Sequence, residues 1–124
     1  VVLIDPPFEE AGELARMARG VTAAWSKWRT GIFAMWYPIK DRRDTDAFAA
    51  ELAAGPFEKL LRIELLLTAG TDATRLNGCG LIVVNPPWTL HDEINVMLPA
   101  LARILSRGAT YKTTNQWIAG ELSR

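Results

Sequence analysis

Cysteine and histidine are scarce in this chain, and no long apolar run is present. Its 124 residues include one cysteine and one histidine. The single Cys79 cannot form an internal disulfide, which fits a reducing compartment such as the cytoplasm. With one histidine and no CxxC pair, a structural zinc site is not expected. No apolar stretch approaches the ~20 residues that a membrane-spanning helix requires, so we expect no membrane contact.

The chain also lacks a net charge. Lysine plus arginine and aspartate plus glutamate number 14 each. Because nucleic-acid-binding domains usually carry a basic excess, any such surface on this chain must be local. Hydrophobic residues make up 49% of the sequence, which excludes a disordered tail. The length and composition together suit one domain with its own core.

Apolar periodicity, prolines and glycines divide the chain into alternating strands and helices. The spacing predicts strands at 1–4, 32–37, 59–67, 80–85 and 113–118, and helices at about 9–28, at 45–53 and from 89 until Gly108. Pro38 is expected to stop the second strand and Pro99 to kink the third helix. Thr89 with Asp92 resembles a capping box.

The order of these elements predicts an α/β fold. Two strand–helix–strand units come first, and each is expected to be a right-handed parallel crossover. The polar linker 68–78 then joins the third and fourth strands without a helix, which indicates an antiparallel hairpin. The sequence therefore predicts parallel strands that end in an antiparallel hairpin, as in the second half of a class I methyltransferase fold.

The first strand ends in Asp5, Pro6, Pro7 and Phe8. The two prolines fix a stiff, extended turn at the carboxyl end of the strand. In open α/β sheets, ligands bind at that edge. This (Asp/Asn)-Pro-Pro-aromatic arrangement is the one found in enzymes that methylate exocyclic amino groups. The structural alternative is a solvated turn in which Asp5 caps the following helix.

The motif suits methylation of an adenine amino group, whose lone pair is delocalised into the ring. Two hydrogen-bond acceptors, one for each N–H, pull the nitrogen toward tetrahedral geometry and free that lone pair. The Asp5 carboxylate and the Pro6 carbonyl are the candidate acceptors, and Asp5 can also take the proton that is released. Phe8 can stack on the base once the base has left its helix.

Four segments extend this motif into a wider resemblance. They are Val-Leu-Ile-Asp-Pro-Pro-Phe-Glu (2–9), Met-Trp-Tyr-Pro-Ile (35–39), Arg-Ile-Glu-Leu (62–65) and Gly-Leu-Ile-Val-Val-Asn-Pro-Pro-Trp (80–88). In this order, and across essentially all 124 residues, the chain resembles the RlmJ family, the bacterial 23S ribosomal RNA adenine-N6 methyltransferases. The family commonly has tyrosine where this chain has Phe8, a change that keeps the stacking surface.

The resemblance implies a class I, Rossmann-like methyltransferase fold and S-adenosyl-L-methionine as cofactor. It makes Asp5 the catalytic residue and places it against the cofactor. It also implies 23S ribosomal RNA, free of ribosomal proteins, as the partner of a cytoplasmic enzyme. We expect that enzyme to need no metal and to be a monomer when complete. The alternatives are a DNA adenine or protein glutamine methyltransferase, or a non-catalytic interaction module with the same fold.

The family's glycine-bearing cofactor loop and ribose-binding acid precede the region that matches residue 1. Residues 1–124 are therefore interpreted as the carboxyl-terminal part of one catalytic domain, without its cofactor-binding half. Gly78-Cys79-Gly80 is no substitute for that loop, because it precedes a strand instead of joining a strand to a helix.

Other residues have both a functional and a structural interpretation. Tyr37 either lines the substrate pocket or packs at a strand end, and Lys40, Arg42 and Arg43 either meet RNA phosphates or form a solvated loop with Asp41 and Asp44. Glu64 indicates an edge position or a paired acid. For Trp25 and Trp28 we favour core packing over base stacking. Asn85-Pro86-Pro87-Trp88 repeats the motif, but its strand should run antiparallel to the first, which favours a structural role.

These expectations predict that the 124 residues alone bind S-adenosylmethionine weakly or not at all, because the anion- and ribose-binding groups are missing. Isothermal calorimetry on this chain and on the complete enzyme measures the difference. Tight cofactor binding by the 124 residues would show that the pocket is misplaced.

Overall fold

A computed structural model of the chain describes residues 1–8, 11–67 and 77–120. These ranges contain five strands and three helices in the predicted order. In chain order the elements are β1 (Val2–Ile4), α1 (Glu13–Lys27), β2 (Phe33–Ile39), α2 (Arg42–Ala53), β3 (Leu60–Leu66), β4 (Gly78–Val84), α3 (Leu90–Ser106) and β5 (Lys112–Ala119). The linker between β3 and β4 lies outside the described residues over 68–76.

The five described strands form one mixed sheet in the order β1-β2-β4-β3-β5. β1 and β2 are parallel neighbours. β4 is antiparallel both to β2 and to β3, so β3 runs in the same direction as β1 and β2. β5 pairs antiparallel with β3. The predicted parallel pair and the antiparallel hairpin are confirmed, and the structure adds that β4 inserts between β2 and β3.

The helices cover both faces of the sheet. Side chains alternate between the two faces along a strand. On one face, α1 and α2 pack over Met35, Leu60 and Ile82, with Val21 and Leu52 among the buried helix residues. On the other face, Leu98 and Ala102 of α3 pack on Leu61, Ile63 and Val83. The chain thus has a core on each side of the sheet, and α1 and α2 share one side.

Pro38 does not end the second strand as predicted, because β2 continues to Ile39. The Ile39 carbonyl accepts a hydrogen bond from the backbone N–H of Asn77, at 2.8 Å, on the β4 side. Successive residues of a strand point their backbone groups to opposite sides, so the nitrogen of Pro38 faces away from β4. β1 has already ended there, with Ile4 paired to Met35. A proline on an unpaired side costs the sheet no hydrogen bond.

Two helix starts and one helix cap also differ from the prediction. α1 begins at Glu13 instead of about residue 9. α2 begins at Arg42 instead of residue 45, and Asp41 caps it by accepting a hydrogen bond from the Arg43 backbone N–H at 2.9 Å. Arg42 and Arg43 therefore lie in the first turn of a helix and not in a loop. At the start of α3, Thr89 makes no side-chain capping hydrogen bond, so the predicted capping box is wrong.

A buried carboxylate lies in the middle of the sheet. Glu64 of β3 is 1% exposed. The hydroxyl of Tyr37 donates to its Oε2 at 2.6 Å, although β4 separates the two strands. Gly80 pairs with both residues, and a Cβ at that position would lie 2.5 Å from the Tyr37 ring. The absence of a side chain at Gly80 lets the ring cross β4 to reach Glu64.

This contact predicts a pH-dependent stability. Burial, and then the charge and hydrogen bond of Glu64, raise the pKa of Tyr37 well above its ordinary value. The folded state therefore holds the phenolic proton more tightly than the unfolded chain, in which tyrosine titrates near about pH 10. The stabilisation by Tyr37 is complete below that pH and decreases above it, by up to ~1.4 kcal/mol per pH unit.

Tyr37→Phe provides the comparison. At pH 7 we expect the variant to be about 1.5–3 kcal/mol less stable, because a buried hydrogen bond to a charged group is lost. Urea unfolding of both proteins between pH 7 and 11 should show this difference shrinking above about pH 10. A constant difference across that range would contradict the assignment.

Candidate functional site

Asp5 and Pro6 lie directly after β1, on the side of the sheet toward which the carboxyl ends of the parallel strands β1 and β2 both point. Asp5 is exposed, and no hydrogen bond or ion pair joins its carboxylate to another described residue. The alternative interpretation of Asp5 as a helix cap is wrong, because α1 is preceded by Gly12 and has no side-chain capping hydrogen bond. The carboxylate at this edge therefore has its oxygen atoms available to a ligand.

Phe8 has an unusual backbone conformation for its residue type. Its φ is 55°, in the left-handed region that residues with a side chain rarely adopt. The ring is half-buried and meets Trp36 edge-to-face, with the ring centroids 6.1 Å apart. Such strain costs about 1–3 kcal/mol and persists where the surroundings enforce it, often at functional sites.

A cleft of about 470 Å³ opens beside Phe8, between the start of α1 and α2. Its lining includes Phe8, Gly12, Pro38, Lys40, Thr45 and Phe48. Of the predicted site residues, the cleft unites Phe8 and Lys40. Asp5 lies three residues before Phe8, so the two Cα atoms are within about 11 Å of each other. Asp5 does not itself line the cleft, and Phe8 connects the end of β1 to it.

Carboxylates outnumber cations along the cleft. Glu13, Asp41, Asp44 and Glu51 contribute to the lining, with Lys40 as the lysine. Asp41 is engaged by Arg43, whose side-chain and backbone hydrogen bonds hold the pKa of Asp41 below its ordinary value. Glu13 pairs with Arg16. A lining of this charge favours an uncharged group that carries hydrogen-bond donors over a phosphate.

The remaining predicted substrate contacts are placed differently. Tyr37 is fully buried with its hydroxyl on Glu64, which favours a packed strand end over a pocket wall. Arg42 is occupied by the Glu64 carboxylate at 2.7 Å. The Arg43 side chain is exposed, but its guanidinium donates to Asp41 at 2.9 Å. Lys40 is exposed at the edge where β2 ends and is the cation best placed to meet a phosphate.

The second motif lies at the opposite edge of the sheet, as predicted, because β4 is antiparallel to β2. Asn85 has a φ of 55°. Its side-chain nitrogen donates to the carbonyls of Arg29, at 2.7 Å, and Gly31, at 2.9 Å. These bonds tie the end of β4 to the chain that enters β2. They support a structural role for Asn85.

The two tryptophans of α1 and its C-cap have different environments. Trp25 packs against the core and meets Phe57 edge-to-face at 5.6 Å, and the Arg29 guanidinium lies 5.0 Å above its ring. Trp28 is 49% exposed and contacts Phe33. Core packing therefore describes Trp25, whereas Trp28 lies at the rim of the core.

Sequence reasoning did not assign the α2 side of the cleft. Thr45 is 1% exposed and Phe48 is 3% exposed, yet both contribute to the lining. Glu64 was interpreted as an edge residue or a paired acid, and its ion pairs with Arg42 and Arg62 confirm the second interpretation. An acid inside an apolar strand was the available signal. Of its partners, Arg62 is two residues away, whereas Arg42 and Tyr37 are distant in sequence.

The described residues contain neither a metal-ligand cluster nor a membrane-spanning helix. Over residues 1–8, 11–67 and 77–120, no group of three or more His, Cys, Asp or Glu side chains is arranged to hold a metal ion. Within the same ranges, no helix combines the length and the apolar character needed to cross a membrane.

The sequence matches proteins with related names along its whole length. The family described as "Ribosomal RNA large subunit methyltransferase D, RlmJ" matches residues 1–119. The chain is 34% identical over 121 residues to ribosomal RNA large subunit methyltransferase J of Escherichia coli (strain K12). It is 33% identical over 121 residues to the protein of that name from Haemophilus influenzae (strain ATCC 51907 / DSM 11121 / KW20 / Rd). Each alignment covers 98% of this chain and 43% of the relative.

A solved structure shares the fold. Protein LPL1258 from Legionella pneumophila str. Philadelphia 1, of the DUF519 family, superimposes with a TM-score of 0.78 at 31% sequence identity. The match covers 91% of this chain and 42% of that protein, so the chain spans less than half the length of these relatives. The family match, the relatives and the mixed sheet agree with the predicted methyltransferase-like α/β fold. The chain belongs to the RlmJ family of ribosomal RNA large subunit methyltransferases.

Proposed function

We propose that this chain supplies the methyl-acceptor side of an enzyme that methylates N6 of an adenine in 23S ribosomal RNA. The observation that carries the proposal is the edge beyond β1. There the carboxylate of Asp5, which has no hydrogen-bond or ion-pair partner among the described residues, stands three residues before an aromatic ring in strained backbone, beside an open cleft. The relatives' names, which specify ribosomal RNA of the large subunit, support the choice of substrate.

Asp5 and Pro6 are assigned to the amino group. The Asp5 carboxylate accepts one N–H and the Pro6 carbonyl accepts the other, which draws the nitrogen lone pair out of the ring. Asp5 then takes the proton that the nitrogen releases after methylation. General-base catalysis of this kind contributes about 10²- to 10⁴-fold to a rate. Holding the nitrogen in line with the incoming methyl group adds a contribution from orientation.

Phe8 and Lys40 are assigned to the nucleotide. A base extruded from its helix can stack on the Phe8 ring, as base-modifying enzymes require. The predominance of carboxylates along the cleft disfavours phosphate inside it. We therefore place the RNA backbone outside, where Lys40 reaches it. This arrangement separates recognition of the base from recognition of the backbone.

The cofactor is proposed to be S-adenosyl-L-methionine, which when bound supplies an electrophilic methyl group. Asp5 fits a position against it, because its carboxylate is exposed at the carboxyl edge and is paired with none of the residues that the structure describes. Gly78-Cys79-Gly80 does not fit a cofactor loop, because it lies within β4. A Cβ at Gly78 would be 2.1 Å from the Leu65 carbonyl oxygen. The other cofactor contacts are assigned to the part of the complete enzyme that precedes this chain.

We further propose that the complete enzyme acts in the cytoplasm as a monomer. Its partner is 23S RNA free of ribosomal proteins, and neither a membrane nor a metal takes part. Methyl transfer to deproteinised 23S RNA, duplex DNA and a protein extract tests the substrate class directly. Preferred transfer to DNA or to protein would contradict the proposal.

Asp5→Ala in the complete enzyme should lower the turnover by about 10²-fold or more, because an acceptor used in the transition state is lost. The measurement is transfer of radiolabelled methyl groups to unmodified 23S RNA. Circular dichroism verifies that the variant is folded. Activity close to that of the wild type would exclude Asp5 as the catalytic residue.

Asn85→Ala is the matched control. Asn85 opens the similar motif at the opposite edge of the sheet, in the position that Asp5 has in the first motif. Two hydrogen bonds to backbone carbonyls are lost, which should cost about 1–3 kcal/mol of stability. Methylation should be unchanged at temperatures where the variant is folded. Loss of methylation by a folded Asn85→Ala protein would assign catalysis to the second motif.

Phe8→Ala should weaken RNA binding by about 1–3 kcal/mol, the contribution of one stacked base. Phe8→Tyr keeps the ring and should bind and methylate RNA as the wild type does. Filter binding with an RNA fragment that contains the target adenine measures both variants. Normal binding by Phe8→Ala would mean that the ring only packs against Trp36.

A further inference from the structure

We infer that Glu64 is a positioning residue for the substrate cleft: its buried carboxylate anchors the start of α2, which forms one wall. The inference rests on the proposed function, because it takes the cleft to hold the methyl-accepting base. Glu64 itself does not line the cleft. Its effect passes through Arg42 and Tyr37.

The carboxylate of Glu64 is fully engaged by three side chains. Oε1 accepts from Arg42 at 2.7 Å, and Oε2 accepts from Arg62 at 3.0 Å and from the Tyr37 hydroxyl at 2.6 Å. Hydrogen bonds to an ionised group are strong and directional. Each partner is therefore held at a defined place relative to β3.

Two of these contacts tie α2 to the sheet. Arg42 is the first residue of α2, and its guanidinium reaches back to Glu64. One turn later, Asp46 of α2 accepts from Arg62 at 2.6 Å. Since Arg62 also binds Glu64, the first turn of α2 is fastened to β3 at both of its ends. Such a double attachment fixes the rotation of the helix as well as its distance from the sheet.

The third contact reaches the cleft by another route. The Tyr37 ring, held by Glu64, meets Phe48 edge-to-face with 5.5 Å between centroids. Phe48 lines the cleft, as do Asp44, Thr45, Ala47 and Glu51 of the same helix. Phe8 and Lys40 form the adjacent part of the lining. Displacement of α2 would thus move the wall that faces both proposed substrate contacts.

A contribution to the stability of the fold does not by itself explain why a buried ionic cluster is present here. Apolar side chains of similar volume often stabilise a core as well as a buried ion pair does. What the ions add is a fixed geometry, because hydrogen bonds between charged groups tolerate little misalignment. The cluster lies under the wall of the cleft, where a fixed geometry affects how a base is held.

The test uses the complete enzyme with three variants. Glu64→Gln keeps the shape and removes the charge. Arg42→Met cuts one of the two links between α2 and β3, and it leaves Arg62 paired with both Glu64 and Asp46. Leu98→Ala is the control, since it opens a cavity under α3 on the opposite face of the sheet. Steady-state methylation of transcribed, unmodified 23S RNA gives KM and kcat for each variant. Hydrogen exchange measures amide protection in residues 42–48.

We expect Glu64→Gln and Arg42→Met to raise the KM for RNA by about 5- to 20-fold with a smaller change in kcat. Cofactor affinity, measured by calorimetry, should stay within about twofold of the wild type because no residue of α2 is assigned a contact with the cofactor. Amide protection should fall at the start of α2. Leu98→Ala should lower the melting temperature and leave KM and the protection of α2 unchanged.

Unchanged KM in both Glu64→Gln and Arg42→Met would overturn the inference, and so would an equal rise of KM in folded Leu98→Ala. If the wild type methylates no RNA, the proposed function fails, and the exchange measurement then decides the anchoring role by itself. Retained protection of residues 42–48 in both variants would overturn it. Lost protection there, with Leu98→Ala unaffected, would support it.

Discussion

The antiparallel insertion of β4 between β2 and β3 is the constraint on which the rest of the structure depends. β1 and β2 run in the same direction, so Asp5 and Lys40 follow the carboxyl ends of their strands on the same side of the sheet. Because β4 runs the other way, the similar motif at Asn85 is carried to the opposite edge. The same insertion places Gly80 between Tyr37 and Glu64, so the cross-strand hydrogen bond passes over a residue without a side chain. The antiparallel position of β4 between β2 and β3 thus separates the two motifs and allows the buried ionic cluster to form.

One residue of each motif, at opposite edges of the sheet, has the same backbone conformation, but its role differs between the two. Phe8 and Asn85 both have a φ of 55°. Asn85 adopts it readily, because asparagine tolerates the left-handed region, and its amide bonds backbone carbonyls nearby. Phe8 has no such compensation from its side chain. Pro6 and Pro7 precede it, and its ring contacts Trp36. A strained aromatic and a relaxed amide therefore distinguish the two motifs physically.

Much of the fold could be predicted from apolar periodicity, including the parallel pair and the β3–β4 hairpin. Pro38 was misjudged because sequence does not show which side of a strand a proline nitrogen faces. The start of α2 was placed too late because Arg42 and Arg43 look solvated until Asp41 and Glu64 are seen to engage them. In the candidate site, Asp5 and Phe8 were recognisable because their motif is local. The α2 wall was not, since Thr45 and Phe48 join it only through tertiary packing.

The Tyr37 ring lies close to Gly80, and this contact limits how the sequences of this family can diverge. Any side chain at position 80 would occupy the space of the Tyr37 ring. A larger residue there is compatible only with a smaller one at position 37, and that change would leave the Glu64 carboxylate without its hydroxyl donor. Positions 37, 64 and 80 therefore cannot drift independently. Among homologues they should substitute as a correlated set, although 27 residues separate the first two along the chain.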